Sequence, residues 1–269
     1  MDSYVVAYLD LLGSEKKIEN DKDYLFFNAV KHLYHDVLSL LDDVDAPHVR
    51  VKVFSDNIVF ARKVTDNLEN KIVNLHQMTC IAAMFQLYAL VKCNFMLKGG
   101  ISLGEFYVDD TMIWGKGLVE AFKLESDKKH FHPTIHIGGY AKDIILTNRN
   151  RFPVVSGDNE MFIDYLQMTE VSSDENVALE LHRYAVLSIF KTLYAELSND
   201  SDSLSDSLKR KMDFLGSYHN RKCREKNAEH LLIDGTKWLQ QFVEADYTMR
   251  ESGKTKIHFT FGIPQGLND

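Results

Sequence analysis

Apolar and polar positions alternate along this chain with periods that change from segment to segment, and each period predicts an element. Residues 4–9 are a β-branched and aromatic run that ends at Asp10, which predicts a buried strand. From 23 to 41, apolar residues recur at three- and four-residue spacing, which predicts a helix packed on a sheet. Residues 48–64 hold two strand-like runs around Ser55-Asp56-Asn57, which predicts a β-hairpin with a polar tip.

The rest of the chain continues this alternation and then becomes helical. The further predicted elements are a helix over 67–91, a strand pair within 95–117, a helix over 117–127 and a strand over 133–139. Residues 174–249 are mainly helical and charged, with a polar break at 199–207. This order favours an α/β fold, an α+β sandwich whose mostly antiparallel sheet carries helices on one face.

The change in pattern divides the chain into two parts. We expect residues 1–143 to form the α/β core and residues 144–269 to form a mainly helical C-terminal extension packed on it, with a final strand near 255–262. The chain has 269 residues, of which 45% are hydrophobic and 26% charged, and this composition argues against disorder.

Charge and cysteine content narrow the partners and the compartment. The formal net charge of −8 argues against a broad basic face for nucleic acid. Cys80, Cys93 and Cys223 are far apart and form no CxxC pair, which is typical of a reducing compartment rather than of disulfides or zinc. No signal-peptide pattern and no apolar run near the roughly 18 residues that span a bilayer are present, so we expect a cytoplasmic protein that does not enter a membrane.

Two aspartates carry the candidate chemistry, because each follows an apolar strand. If the first strand lies beside the hairpin, Asp10 and Asp56 face each other at one edge of the sheet. Two such carboxylates can hold a pair of divalent ions that clamp the oxygens of a phosphoryl transfer, and Mg²⁺ prefers oxygen ligands. Purely local roles stay open, a helix N-cap for Asp10 and an Asx turn for Asp56. The amides of the turn at 11–14 are candidates to bind a triphosphate.

Four short motifs follow one another between residues 4 and 140. In chain order they are Asp10-Leu11-Leu12-Gly13, Val51 to Asp56, Lys98 to Gly104, and Ile113-Trp114-Gly115 followed by Ala121. In order and spacing they resemble the motifs of the class III nucleotidyl cyclases. The resemblance implies a ferredoxin-like core and two Mg²⁺ or Mn²⁺ ions per active site, held by Asp10, Asp56 and the Leu11 carbonyl. It also implies substrate contacts from Leu12 and Gly13.

The sequence departs from this family at the positions that recognise the base and the ribose. Lys52 stands at the position of the base-binding Lys, but Met112 replaces the Asp that accepts from adenine, and Met offers no useful acceptor. The pocket therefore favours a keto base, with Lys52 as donor. Val119 and Lys123 replace the family's Asn and Arg, and Lys123 supplies charge without the bidentate geometry of Arg. A solvent-facing helix lysine is the alternative for Lys123, and Lys98 is a further substrate-binding candidate.

These departures, with the stretch KGGISLGE…WGKGLVEAFKLES, resemble the pyrimidine cyclases of the bacterial Pycsar anti-phage systems. The resemblance implies a uridylate cyclase that converts UTP to cyclic UMP and pyrophosphate upon infection. It also implies a head-to-tail homodimer with composite active sites and a separate effector protein that senses the cyclic nucleotide. Cytidylate cyclase activity on CTP is the close alternative, followed by a purine nucleotide cyclase and by a catalytically inactive nucleotide-binding module.

Overall fold

The computed structural model describes residues 1–43, 49–130, 132–156, 160–167, 175–199 and 206–252. The chain divides into two compact units: the first comprises residues 1–89 and 95–167, and the second comprises residues 90–94 and 168–269. The final strand expected near 255–262 and most of the polar break at 199–207 lie outside the described residues.

Eight strands of the described part form one sheet in the first unit. In chain order they are β1 (Asp2–Leu11), β2 (Val49–Phe54), β3 (Asn57–Lys63), β4 (Leu97–Val108), β5 (Ile113–Trp114), β6 (Ile135–Ile137), β7 (Val154–Ser156) and β8 (Met161–Ile163). The strands lie in the order β2-β3-β1-β4-β6-β8-β7, and β5 pairs with β4. Only the pairing of β4 with β6 is parallel among these strands, which confirms the mostly antiparallel sheet of the predicted α/β fold.

The described residues form eight α-helices. In chain order they are α1 (Ser14–Glu19), α2 (Leu25–Asp43), α3 (Leu68–Cys93), α4 (Lys116–Ser126), α5 (Gly139–Thr147), α6 (Glu175–Asn199), α7 (Asp206–Glu225) and α8 (Trp238–Ser252). The helices predicted over 23–41, 67–91 and 117–127 correspond to α2, α3 and α4, and each end agrees to within two residues. No helix in the described segments is both long enough and apolar enough to cross a bilayer.

The first four strands have the arrangement of a ferredoxin-like fold. They follow the chain order β1-α2-β2-β3-α3-β4 and lie side by side as β2-β3-β1-β4. The central strand β1 forms long antiparallel ladders with β3 on one side and β4 on the other. The predicted hairpin is β2–β3, and its turn consists of Ser55, at φ 55°, and Asp56.

Helices cover both faces of the sheet, so the prediction of helices on one face is wrong for α4. On one face, α4 packs on β1 and β3 in a buried cluster that includes Tyr8 and Ala121. On the other face, the ring of Phe60 in β3 meets that of Phe85 in α3 edge to face, with centroids 5.8 Å apart. The reason lies in β1, where the continuous apolar run Val5–Leu9 is buried throughout and both faces therefore need cover.

Several elements have no counterpart in the predictions. The three-residue strands β7 and β8 form a hairpin at the border of the sheet, and α5 begins at Gly139, where the pattern predicts a strand that continues from 133. That predicted strand is confined to Ile135–Ile137. In the second unit, α6 packs against both α7 and α8.

Candidate active site

Asp10 lies near the end of the central strand, between the two strands that pair with it. Its Cα partners are Asn57 in β3 and Lys98 in β4. Because side chains alternate between the faces of a strand, Asp10 shares with Tyr8 the face that α4 covers. The Asp10 side chain is 21% exposed, so solvent reaches it. Helix α1 has Gly13 as its N-cap residue, which removes the alternative of a helix cap for Asp10.

Asp56 occupies the turn between β2 and β3, beside the end of β1. Its backbone carbonyl accepts the N–H of Leu11 at 3.4 Å. Both oxygens of its carboxylate also accept hydrogen bonds, Oδ2 from the hydroxyl of Ser14 and Oδ1 from the side-chain amide of Asn57 at 3.2 Å. The Asp56 carboxylate is therefore oriented by two different elements, α1 and β3.

Tyr8 extends this hydrogen-bonded chain toward the core. Its hydroxyl donates to Oδ1 of Asn57 at 2.6 Å, and the Asn57 amide in turn donates to Asp56. Burial raises the pKa of Tyr8 to about 12, and three carboxylates add to this increase, those of Glu125, Asp10 and Asp56. The negative charges of all three carboxylates therefore act on the Tyr8 hydroxyl.

Lys98 brings a positive charge to the same place. This place, called the carboxylate edge, is the side of the sheet where β1 ends and where β3 and β4 begin. The Lys98 ammonium forms an ion pair with Oε1 of Glu125 and lies 4.0 Å from Oδ2 of Asp10. Glu125 belongs to the last turn of α4 and is only 6% exposed, whereas the Lys98 side chain is 24% exposed. The ammonium therefore stands between a buried carboxylate and a more accessible one, and it is closer to the buried one.

Gly100, two residues after Lys98 in β4, explains how α4 comes close enough for this contact. A Cβ built at Gly100 would collide with the carbonyl oxygen of Ala121 and would lie 2.7 Å from Cβ of Leu124. Real Cβ atoms do not approach their neighbours so closely, so a glycine is required here. The second glycine of Lys98-Gly99-Gly100 thus makes room for α4 and lets Glu125 reach Lys98.

The donor chemistry of this edge fits a divalent cation. Asp10 and Asp56 offer the hard oxygen ligands that Mg²⁺ and Mn²⁺ prefer, and the three carboxylates outnumber the one ammonium of Lys98. The described residues contain no group of three or more His, Cys, Asp or Glu side chains arranged to hold a metal. A cation bound by the two aspartates would therefore need further oxygen ligands, such as the Leu11 carbonyl or substrate phosphates.

The turn that follows β1 is the segment for which phosphate contacts are predicted. The N–H of Leu12 donates to the carbonyl of Met96 at 2.8 Å, so this amide is already engaged within the fold. Gly13 has φ 75°, a conformation that favours glycine, and a Cβ there would meet nothing within 4 Å. The space beside Gly13 is therefore open.

Lys52 contacts the turn that carries Met112, the other residue predicted to recognise the base. The ammonium of Lys52 donates to the carbonyl of Asp110 at 3.2 Å, two residues before Met112. The turn is fixed by Asp109, whose carboxylate accepts the N–H of Met112 at 2.8 Å. Met112 is 48% exposed, so its side chain can contact a ligand.

Lys123 lies on the exposed side of α4. Burial raises the pKa of Glu120 one turn earlier, and the positive charge of Lys123 opposes that increase. Val119, which stands where the class III cyclases have Asn, is also exposed on this helix. The structure thus brings Asp10, Asp56 and Lys98 to one edge, places the Lys52 ammonium against the turn that carries Met112, and puts Lys123 on the exposed side of α4.

Sequence reasoning misses four residues of this edge, namely Tyr8, Ser14, Asn57 and Glu125. The two-residue period of β1 contains a signal for Tyr8, because it puts this residue on the same face as Asp10. The polar hairpin tip contains a weaker one for Asn57. No sequence pattern indicates Glu125, since its contact with Lys98 depends on how α4 packs against β4.

Comparison with solved structures finds adenylyl and guanylyl cyclase domains. The chain is similar to the adenylyl cyclase CyaB from P. aeruginosa at 11% sequence identity and a TM-score of 0.44, over 60% of this chain and 91% of that one. It is similar to the dimeric guanylyl cyclase domain of the RhoGC fusion protein from the aquatic fungus Blastocladiella emersonii at 13% identity and a TM-score of 0.45, over 60% and 94% of the two chains. The guanylate cyclase domain of RhGC from Catenaria anguillulae in complex with GTP is similar at 12% identity and a TM-score of 0.43, over 60% and 93%.

The sequence matches no family model and no curated protein. At the identities found among solved structures, the roles of individual residues have to be argued from the geometry of this chain itself.

Proposed function

We propose that this chain is a pyrimidine nucleotide cyclase that converts UTP to 3′,5′-cyclic UMP and pyrophosphate. The observation that carries the proposal is the placement of Asp10 and Asp56 at neighbouring strand ends, with Lys98 opposite Asp10. Two partly accessible carboxylates beside a cation and an open glycine turn form a site that suits a metal-bound triphosphate.

The reaction requires the ribose 3′ oxygen to attack the α-phosphorus while the bond from that phosphorus to the bridging oxygen breaks. Pyrophosphate leaves, and the hydroxyl proton passes to solvent water. Two divalent ions, Mg²⁺ or Mn²⁺, would supply the charge that lowers the pKa of the hydroxyl and stabilises the phosphate oxygens. Asp10, Asp56 and the Leu11 carbonyl would hold them. Because Ser14 and Asn57 already orient Asp56, little reorganisation would be needed during the reaction.

Lys98 and the turn after β1 would bind the phosphates. The Lys98 ammonium lies within 4.0 Å of Asp10 and would be near any phosphate held there. Of the two predicted contacts in the turn, Gly13 is the better supported, because its surroundings are open, whereas the Leu12 amide serves the fold.

The base preference rests on Lys52 and Met112. Lys52 reaches the backbone of the turn that carries Met112, so its ammonium can donate to a base carbonyl next to that side chain. Met112 provides no acceptor for an exocyclic amine, which disfavours adenine. Uracil presents carbonyls to such a donor and is favoured, and cytosine, with its single carbonyl, makes CTP the alternative substrate.

We also propose a head-to-tail homodimer with composite active sites. Lys52 donates to the turn before Met112 and Lys123 lies on the exposed side of α4. In a composite site, one copy would supply the metal ligands and the other would supply these two lysines. Apolar side chains support the burial of this surface by a second copy, since Phe54, Val119 and Phe122 are each about half exposed, at 45%, 51% and 47%.

The biological role follows from the motif resemblance: cyclic UMP would serve as a messenger for a separate effector protein during phage infection. Bacteria that express this chain should accumulate cyclic UMP only after phage is added. Equal nucleotide levels with and without phage would contradict this role without affecting the enzymatic proposal.

Incubation of the purified protein with each of the four NTPs and Mn²⁺, followed by separation of the products, tests the activity. We expect cyclic UMP as the main product, and we expect Asp10→Ala to lower turnover by at least about 10³-fold because a metal ligand is lost. Asp2→Asn, at the opposite end of β1, is the matched control and should retain activity, since Asp2 forms a surface ion pair with Lys63. Cyclic CMP would establish the alternative substrate, and no product from any NTP would favour the binding module.

A further inference from the structure

Lys98 is held between two carboxylates of unequal exposure. The Glu125 carboxylate, on α4, pairs directly with the ammonium and is almost completely buried, whereas that of Asp10, on β1, is 4.0 Å away and partly exposed. The position of the ammonium is therefore set mainly by the helix, although Lys98 itself lies directly opposite Asp10 in the sheet.

A buried carboxylate without a partner is strongly unfavourable, so Glu125 needs Lys98 more than Asp10 does. An ammonium and a divalent cation compete for the same carboxylate oxygens, because both are attracted by the same negative charge. If the Glu125 charge were absent, the Lys98 ammonium would move closer to Asp10, with which it already forms a longer ion pair at 4.0 Å. The ion pair between Lys98 and Asp10 would then be stronger, and Asp10 would bind a metal less well.

We propose that Glu125 is a positioning residue that draws the Lys98 ammonium toward α4, weakens its ion pair with Asp10, and so favours the binding of a divalent cation to the Asp10 carboxylate. The inference rests on the proposed function, because it assumes that Asp10 binds metal. It adds a residue on α4 that does not itself contact the metal or the nucleotide.

Binding of Mn²⁺ to the protein without nucleotide tests this role, with free Mn²⁺ measured by electron paramagnetic resonance. Glu125→Gln keeps the size of the side chain and removes its charge, and we expect the Kd for Mn²⁺ to rise about fivefold or more. The double variant Glu125→Gln with Lys98→Met should recover the wild-type Kd, since the competing ammonium is gone.

Glu120→Gln is the matched control, because it removes the same charge from the same helix and Glu120 is influenced by Lys123 instead. We expect it to change the Kd less than twofold. Wild-type affinity in Glu125→Gln, an equal loss in Glu120→Gln, or no recovery in the double variant would each overturn the role of Glu125.

Asp10→Ala in the same titration separates this inference from the proposed function. If that variant binds Mn²⁺ as well as the wild type, the metal site itself is wrong. If it loses binding and Glu125→Gln does not, only the positioning role fails. Circular dichroism spectra of all variants confirm that each is folded.

Discussion

The two units of this protein each contain a cluster of side chains of the kinds that perform chemistry, but the clusters differ in charge and in access to solvent. In the first unit, Asp10 and Lys98 are partly exposed and carry opposite charges. In the second unit, His182, His219 and Cys223 are completely buried, each with 0% exposure. Residue type alone would rank the second cluster as the stronger metal or catalytic candidate.

The two buried histidines hydrogen-bond to each other, and His219 also bonds to the Leu231 carbonyl. Nε2 of His219 lies 3.0 Å from the Leu231 carbonyl, which can only accept, so a neutral His219 carries its proton on Nε2. Its Nδ1 then accepts from Nδ1–H of His182 at 3.0 Å, and Sγ of Cys223 lies 3.2 Å from Nε2. Burial lowers the pKa of both histidines and raises the pKa of Cys223 to about 11. The cluster is therefore neutral at pH 7.

Accessibility and charge, rather than residue type, therefore separate a candidate site from a structural network. A ligand in solvent can reach Asp10 and Lys98, which are partly exposed, whereas it would have to open the core of the second unit to reach His219. Substitutions at the edge should therefore alter activity, and those in the buried cluster should alter stability.

The largest effect on stability is expected from Gly100→Ala, which forces α4 away from the sheet edge. Overpacking against the Ala121 carbonyl should lower the free energy of unfolding by about 2–3 kcal/mol, as measured by urea denaturation. Gly235→Ala in the second unit is the matched control and should stay within about 0.5 kcal/mol, because a Cβ there meets nothing within 4 Å. Equal effects of both substitutions would show that α4 does not need this close approach.

A smaller, pH-dependent effect is expected from the buried histidines. Since burial lowers the pKa of His182 and His219, the unfolded chain takes up protons below about pH 6.5 that the folded cluster does not. The free energy of unfolding should then fall with decreasing pH, by about 1.4 kcal/mol per pH unit for each histidine, and no such loss occurs above pH 7.

His219→Gln sharpens this test, because glutamine keeps a donor for the Leu231 carbonyl but does not titrate. The slope of stability against pH should become shallower than that of the wild type, and turnover at pH 7.5 should be unchanged. Parallel curves for the two proteins would assign the pH dependence to other groups.

The smallest effect is expected at the hydroxyl that supports Asp56. Ser14→Ala removes one of the two hydrogen bonds to the carboxylate while Asn57 keeps the other, so kcat should fall about three- to tenfold. Ser39→Ala is the control, because the Ser39 hydroxyl bonds only to its own helix at His35. If the two variants have the same kcat, Ser14 does not orient Asp56.

The elements predicted correctly from the sequence are those long enough to show a period. The apolar run at 4–9 identifies β1, and the two runs around Ser55 identify the hairpin. The strands β7 and β8 escape prediction because three residues define no period. The side of the sheet that α4 occupies also escapes it, since this is decided by the contact of Gly100 with Ala121 across the fold.

The candidate edge is predictable only in part. Strand ends identify Asp10 and Asp56, and the motif identifies Lys98, because these features are local in sequence. That the Leu12 amide is engaged follows from a hydrogen bond to Met96, which no local pattern reveals. The pairing of Lys98 with Glu125 requires a helix and a strand to pack together, so it becomes visible only in three dimensions.

Strand β1 also limits how the length of this chain can vary in evolution. Asp10 is in register with Asn57 on one side and Lys98 on the other, so a single residue inserted into β1 would rotate Asp10 to the opposite face and disrupt two ladders at once. An insertion between β7 and β8 would disturb only a short hairpin at the border of the sheet. Insertions and deletions among natural variants are therefore expected at that border and not in the central strand.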